Sequence, residues 1–235
     1  MKIVPQQTKL LTSPEAIKNM ILNCEYAART CYNSTDKQTG NFDDAVKFLK
    51  MLLDKHHESV IEHSAITFEF VTNIGVSREF ERHRLATIGF ESDFCPSFSE
   101  RSTRYCNYGK ESKYPEGIEF CFNTEDAITI RDKYPETPGI WPNVMYDSIQ
   151  QSEVDYKHLI DNCGMKAQFA RHLLPLCTKT VFISTCNLRE WRHIIKMRTS
   201  KAAHPDIREL IGWVYDEFVK LGLGALFEDV KPEGK

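Results

Sequence analysis

Glycine is too dispersed in this chain to build a phosphate-cradling loop: its 11 glycines form neither G-x-G-x-x-G nor G-x-x-x-x-G-K-[ST]. A nucleotide or dinucleotide bound here must therefore be gripped by side chains and helix ends. G-x-S-x-G and H-E-x-x-H are missing too, which removes the nucleophile-elbow and zincin hydrolases. The eight cysteines include no C-x-x-C pair. A chain of 235 residues has no need of a disulfide framework, so reduced thiols and no zinc site are expected. No segment approaches the ~20 apolar residues of a membrane span, and the opening MKIVPQQTKLLTSPEAIKNM lacks the apolar run of a secretory signal. The expectation is a cytoplasmic protein that meets no membrane. Its net charge of −3 argues against a nucleic-acid partner, which normally calls for a basic excess.

Lysine is absent from residues 56–109, which hold five arginines. A solvated surface usually mixes the two cations. Arginine alone points to planar, bidentate recognition of a phosphate or a heteroaromatic edge. The bland alternative, a surface helix paired to Glu79, Glu81 and Glu91, suits Arg78. It suits Arg82-His83-Arg84 poorly, because consecutive helical residues point about 100° apart and cannot share one exposed stripe.

Periodicity and turn signals predict α+β: long helices around a small, mainly antiparallel sheet, in one domain over 1–235. Ser13 followed by Pro14 opens a helix through Tyr32. Amphipathic spacing predicts a helix over 41–57, alternation a strand over 65–72, and helical pattern resumes over 76–86. IEFCFN (118–123) reads as a strand, and 124–143 as an irregular connection because its second half is rich in proline and glycine. A long helix follows to Gly164, then a short one stopped at Pro175, a strand over 178–186, and helices over 188–198 and 205–222.

Two histidines and a glutamate in HESVIEH (57–63) suggest a metal only weakly, since no helical i, i+4 histidine pair exists; no metal is expected. Polar groups satisfied at a strand entrance, or hydrogen bonds to a ligand, remain open for this stretch. Arg198 at a helix end could merely complement the macrodipole. Arg171, beside Phe169, Leu173 and Leu174, would demand an anionic partner if buried there.

HESVIEH, RHR (82–84), SFSERSTRYCNY (97–108), ARHLLP (170–175) and NLREWRHIIKMR (187–198), in this order, resemble the motif blocks of the flavin-dependent thymidylate synthases. The resemblance implies a family-specific fold that is not Rossmann-like, and a homotetramer with active sites where subunits meet. It implies methylation of dUMP at C5 to dTMP, with methylenetetrahydrofolate as one-carbon donor and FAD, reduced by NADPH, supplying electrons. No cysteine stands beside an obvious activating base, in keeping with chemistry that needs no enzyme thiolate.

Residue by residue, the resemblance assigns Ser59, Glu62, Arg82, His83, Arg84, Asn187, Arg189 and His193 to FAD. It assigns Glu79, Glu100, Arg101, Ser102, Thr103, Arg104 and Arg171 to dUMP, with Arg171 reaching in from another chain and the backbone amides of Arg101 and Thr103 contributing. Arg198 matches an arginine lying against the uracil ring; it and Ser102 are the expected catalytic residues. Glu79 stands where the family commonly has glutamine, and a carboxylate there accepts but does not donate. His204 also replaces a common glutamine.

The family signature places seven residues between RHR and its serine, a count that lands on Ser92, whereas Ser102 follows after seventeen. Ser102 alone has the surrounding S-E-R-S-T-R-Y, so residues 87–96 are read as a ten-residue insertion. The alternative function is that of an inactive or substrate-altered relative acting on another pyrimidine nucleotide. A nucleic-acid-binding module comes last, against the acidic charge and the missing lysines.

Overall fold

A computed structural model of the chain describes residues 1–86, 96–110, 113–132, 137 and 139–233. Ser92, Cys95 and nearly all of the 87–96 insertion lie outside the described residues. The chain begins with two short strands, β1 (Lys2–Pro5) and β2 (Gln7–Leu10), followed by helices α1 (Pro14–Cys31) and α2 (Phe42–Leu53). A 3-10 turn at Glu58–Glu62 leads into strand β3 (Ile66–Asn73), helix α3 (Ile74–Ala86) and strand β4 (Ser97–Glu100). Next come β5 (Glu119–Phe122), α4 (Thr124–Arg131), α5 (Trp141–Asp161), α6 (Ala167–Ala170) and a 3-10 turn at Arg171–Leu173. Strand β6 (Lys179–Cys186), α7 (Leu188–Arg198), α8 (Pro205–Lys220) and a 3-10 segment at Gly224–Val230 complete the order.

The architecture is the expected mixture of helices and small sheets. One sheet has two strands, β1 beside β5, and the other four, in the order β2-β3-β6-β4. The β1–β5 pair is parallel, with Lys2 opposite Glu119 and Pro5 opposite Phe122. Neither N-terminal strand was expected from the sequence. The 124–143 segment is also more regular than predicted: Asn123 accepts from the Asp126 amide at 2.9 Å and caps α4 before the prolines begin.

Backbone contacts divide the chain into two compact units, each assembled from separate stretches. The first holds Met1–Gln7, Phe70–Glu79 and Ser99–Phe182; the second holds Thr8–Glu69, Phe80–Phe98 and Ile183–Lys235. In the first, Ile118, Phe120 and Phe122 from the β5 region meet Ala127, Ile130, Ile149 and Tyr156 from α4 and α5. Helix α5 ends as the glycine signal predicted, with Gly164 at φ +64°, a conformation that costs a residue bearing a Cβ.

The second unit is built around aromatics. Phe68 of β3 meets Trp191 of α7 edge-on at 5.1 Å, and Phe218 of α8 stacks on Phe227 at 4.5 Å. The Trp191 indole donates to the Ile66 carbonyl at 3.1 Å, so its one polar atom is satisfied inside the core. Full burial of each such side chain stabilises the fold by roughly 1.5–3 kcal/mol. Ser13 accepts from the Ala16 amide and caps α1, as its position before Pro14 predicts.

Candidate functional site

In the first unit, the stretch after β4 carries the SERSTRY residues. Glu100 ends β4, and its Oε1 accepts from Thr180 Oγ1 at 2.9 Å. The Ser102 hydroxyl accepts from the Arg104 amide at 3.2 Å, and the Ser102 carbonyl accepts from the Cys106 amide at 2.9 Å. These bonds close the loop into a tight turn that fixes where Ser102, Thr103 and Arg104 emerge. Arg104 is exposed, with its guanidinium 5.2 Å from the centre of the Tyr105 ring.

Arg171 reaches this loop within the same chain: its Nη1 donates to Thr103 Oγ1 at 3.4 Å. Arg171 is exposed, as are Phe169 and Leu173, so the burial that would have demanded an anionic protein partner does not occur. The 3-10 turn at Arg171–Leu173 presents the charge outward instead. Among the described residues, neither Arg104 nor Arg171 is paired with a carboxylate.

One expectation is corrected here. The Arg101 amide donates to the Val181 carbonyl of β6 at 2.9 Å, so sheet pairing has already consumed it and it cannot also bind an anion. The positive charge of Arg101 acts on Tyr114, opposing the rise in pKa that burial gives that phenol. Glu79, the remaining first-unit candidate, sits half-buried on α3.

The second unit gathers the other set. On α3, Arg82 is exposed while His83 is only 3 % exposed, as the helical geometry of consecutive residues requires. Arg84 belongs to α3 by its backbone. Ser59 is exposed on the 3-10 turn preceding β3, and Glu62 ends that turn. Glu62 and Arg189, both expected at the flavin, meet each other: Arg189 Nη1 donates to Glu62 Oε1 at 2.6 Å. Glu58 lies 3.4 Å from Arg189 and 3.5 Å from Arg192, and Arg192 is paired with Asp229 at 2.7 Å. This carboxylate–guanidinium network ties the turn to the start of α7 and to the C-terminal 3-10 segment.

Asn187 is buried, and its side-chain oxygen accepts from the Glu190 amide at 2.8 Å, capping α7. His204 does the same service for α8, accepting from the Asp206 amide at 3.3 Å. Both therefore have a structural role.

A cluster of perturbed titratable groups lies where α3 meets α7. Arg198 Nε donates to His83 Nε2 at 2.8 Å, and the His193 ring stands edge-on to His83 at 6.0 Å. Burial lowers the His83 pKa to about 3, helped by the positive charges of Arg198 and His193. Burial also lowers that of His193, with Lys196 and Arg198 adding to the effect. Glu190 Oε1 faces His83 Nδ1 at 3.8 Å. Burial raises the Glu190 pKa to about 7, against the opposing pull of Arg189. His83 is neutral at physiological pH, so its approach to Glu190 is not an ion pair.

The expected residues thus separate into two constellations. Glu100, Ser102, Thr103, Arg104 and Arg171 are linked in the first unit, as are Glu62 with Arg189 and His83 with His193 and Arg198 in the second. Sequence reasoning missed the parts played by Glu58 and Glu190. The signals were present: Glu58 starts the same turn as Glu62, and Glu190 lies one residue from Arg189. Their partners are distant in sequence, however, and spacing could not name them.

Comparison with known proteins places the chain in a family. The family described as thymidylate synthase complementing protein matches residues 15–221. A probable flavin-dependent thymidylate synthase of Mycobacterium phage D29 is 32% identical over 199 residues, covering 80% of this chain and 74% of the phage protein. The flavin-dependent thymidylate synthase of Thermococcus onnurineus is 29% identical over 178 residues, covering 75% and 63%. Among solved structures, the UMP/dUMP methylase PolB of Streptomyces cacaoi, bound with 5-Br dUMP, superposes with a TM-score of 0.70 at 20% identity over 99% of this chain and 98% of that one. Thymidylate synthase X of Helicobacter pylori, solved with FAD and dUMP, gives a TM-score of 0.66 at 20% identity over 96% and 98%. The family match and the identities, together with the motif blocks now placed in the fold, show that this chain is a methyltransferase belonging to the flavin-dependent thymidylate synthase family.

Proposed function

We propose that this chain methylates dUMP at C5 to give dTMP, as a single catalytic domain that assembles into a homotetramer. The observation that carries the reading is the pair of exposed guanidiniums, Arg104 and Arg171, beside Thr103. Among the described residues no carboxylate neutralises them, which suits a phosphate. The nucleotide phosphate and sugar are held by Arg104, Arg171, the Ser102 and Thr103 hydroxyls and Glu100. Arg101 acts through its side chain alone, since its amide is occupied.

Arg198 orients the pyrimidine. A fixed cation at the ring favours electron-rich uracil, making C5 a better nucleophile without a covalent enzyme adduct. At Glu79, the resemblance's other pyrimidine contact, a carboxylate would accept but not donate a hydrogen bond. Ser102 assists by fixing the loop that presents the nucleotide.

The donor set of the second unit fits FAD. Arg82 is exposed, Arg189 is anchored by Glu62, and neutral His83 accepts from Arg198 and so holds that cation in place, which suits an electron-rich flavin edge. Bound FAD supplies the reducing electrons for the new methyl group. Ser59, Glu62, Arg82, His83, Arg84, Asn187, Arg189 and His193 hold it, with Asn187 acting through its amide nitrogen because its oxygen caps α7. NADPH and methylenetetrahydrofolate are co-substrates. Exposed Trp141, Val144 and Val154 on α5, with Phe169 and Leu176, offer the apolar surface that subunit association would cover.

The test is spectroscopic. The purified protein should be yellow or take up FAD, bleach with NADPH, and regain its colour with dUMP and methylenetetrahydrofolate while releasing dTMP. A protein that cannot bind added FAD would sink the reading. A second reading, action on another pyrimidine nucleotide, is favoured by Glu79 in place of glutamine. Parallel assays with UMP, dCMP and dUMP separate the two.

A further inference from the structure

Inside the second unit, Glu190, His83 and Arg198 form a line of three polar side chains. His83 is 3 % exposed and neutral, so it can look to little besides its neighbours to satisfy its ring nitrogens. A neutral imidazole carries a single N–H. Because Nε2 accepts from Arg198 Nε at 2.8 Å, that proton must be on Nδ1. The other tautomer would point an N–H of His83 at an N–H of Arg198, a donor-to-donor contact in a desolvated place.

Nδ1 faces Glu190 Oε1 at 3.8 Å. That is too long for a direct hydrogen bond. It is close enough for a carboxylate, its side chain only 12% exposed, to act on the N–H dipole with little screening by water. Glu190 is also placed for a plainer role. It sits in the first turn of α7, where an acidic side chain complements the helix dipole. A side chain serving only that purpose has no need to turn inward onto an imidazole.

We infer that Glu190 is a positioning residue for Arg198, acting through His83. Its carboxyl group favours the Nδ1–H tautomer, whose Nε2 lone pair then holds Arg198 by Nε, so that the Nη edge of the guanidinium meets the substrate. The inference rests on the reading that Arg198 lies at the pyrimidine of dUMP. It identifies a specificity of orientation, not a further group touching substrate.

Glu190→Ala and Glu190→Gln, compared with the unaltered enzyme, test it by two independent readouts. In protein labelled with 15N-histidine, the imidazole 15N shifts report which nitrogen carries the proton, and His83→Gln identifies the His83 signals. The unaltered protein should show His83 as Nδ1–H. Glu190→Ala should shift it to a mixture of tautomers and lower kcat/KM for dUMP by about 10-fold, mostly through kcat, the scale of a small misplacement of a catalytic group. Glu190→Gln should restore both only in part, because the amide oxygen keeps its dipole facing Nδ1–H while the charge is lost. The inference is overturned by an Nε2–H tautomer in the unaltered enzyme, or by an Ala variant indistinguishable from it in spectrum and turnover. If the spectra behave as expected while no variant, nor the parent, turns over dUMP, the functional reading fails and the tautomer control by Glu190 stands.

Discussion

Arg198 donates from Nε to Nε2 of His83 at 2.8 Å, so the last turn of α7 is held to α3 by a cation and a neutral imidazole. A side chain placed only to complement the helix dipole would point toward the terminal carbonyls and water. Here a buried acceptor fixes one edge of the guanidinium.

Arg198→Lys tests the importance of that edge. Lysine keeps the charge but offers a flexible point donor, and it cannot bond His83 and present a planar edge together. Turnover of dUMP should fall on the order of 100-fold, the loss typical of one aimed donor. FAD binding, read from the flavin absorbance, should change little. Unchanged turnover would show that only the charge matters.

His83 and Glu190 predict opposite pH effects on stability. The His83 pKa is about 3 when folded and 6.5 ordinarily, so between these values the unfolded chain binds a proton that the native state refuses. Its contribution to stability is lost as pH falls from about 6.5 toward 3. The Glu190 pKa is about 7 when folded and 4.5 ordinarily, so the native state binds the extra proton, and stability is lost as pH rises through 7. Thermal melting across this range should show His83→Gln flattening the acid limb and Glu190→Gln gaining relative stability in the alkaline range. Parallel curves for parent and variants would contradict both assignments.

The fold was legible where local signals agree with burial. Ser13-Pro14 marks α1, alternation marks β3, and Gly164 ends the long helix. β1 and β2 were hidden because each has four residues, Pro5 interrupts their pattern, and β1's parallel partner β5 begins only at Glu119, with half of the other elements in between. For the site, residue types and motif blocks named the arginines. What they could not show is the use each side chain makes of its atoms. The Arg101 amide is spent on Val181, the Asn187 oxygen caps a helix, and His83 accepts from Arg198. These are tertiary facts, fixed by residues far apart in sequence.

Arg171→Ala probes the proposed phosphate contact. The side chain is exposed and touches only the Thr103 hydroxyl among its described hydrogen-bond partners, so melting should shift by no more than about 0.5 kcal/mol. KM for dUMP should rise about 10-fold with kcat nearly unchanged. Raising the salt concentration should narrow the gap between variant and parent, because the lost term is electrostatic and exposed. A variant that loses stability and keeps its KM would place Arg171 in the fold and not at the nucleotide.

The two serines that follow Arg82-His83-Arg84 give the last prediction. Ser102 Oγ accepts from the Arg104 amide at 3.2 Å and so shapes the turn that carries Thr103 and Arg104. Ser102→Ala removes that acceptor and the hydroxyl at once. We expect kcat/KM for dUMP to fall by 10-fold to about 100-fold, as misplacement of a binding loop produces. Ser92 stands at the family's usual distance from Arg82-His83-Arg84 but has no Glu or Arg at the matching offsets. Ser92→Ala should leave turnover within about twofold, the effect of a substitution away from any binding contact. Steady-state kinetics with dUMP as the varied substrate decide between them. A large effect at Ser92 with none at Ser102 would reverse the alignment through residues 87–96 and move the nucleotide loop to the other serine.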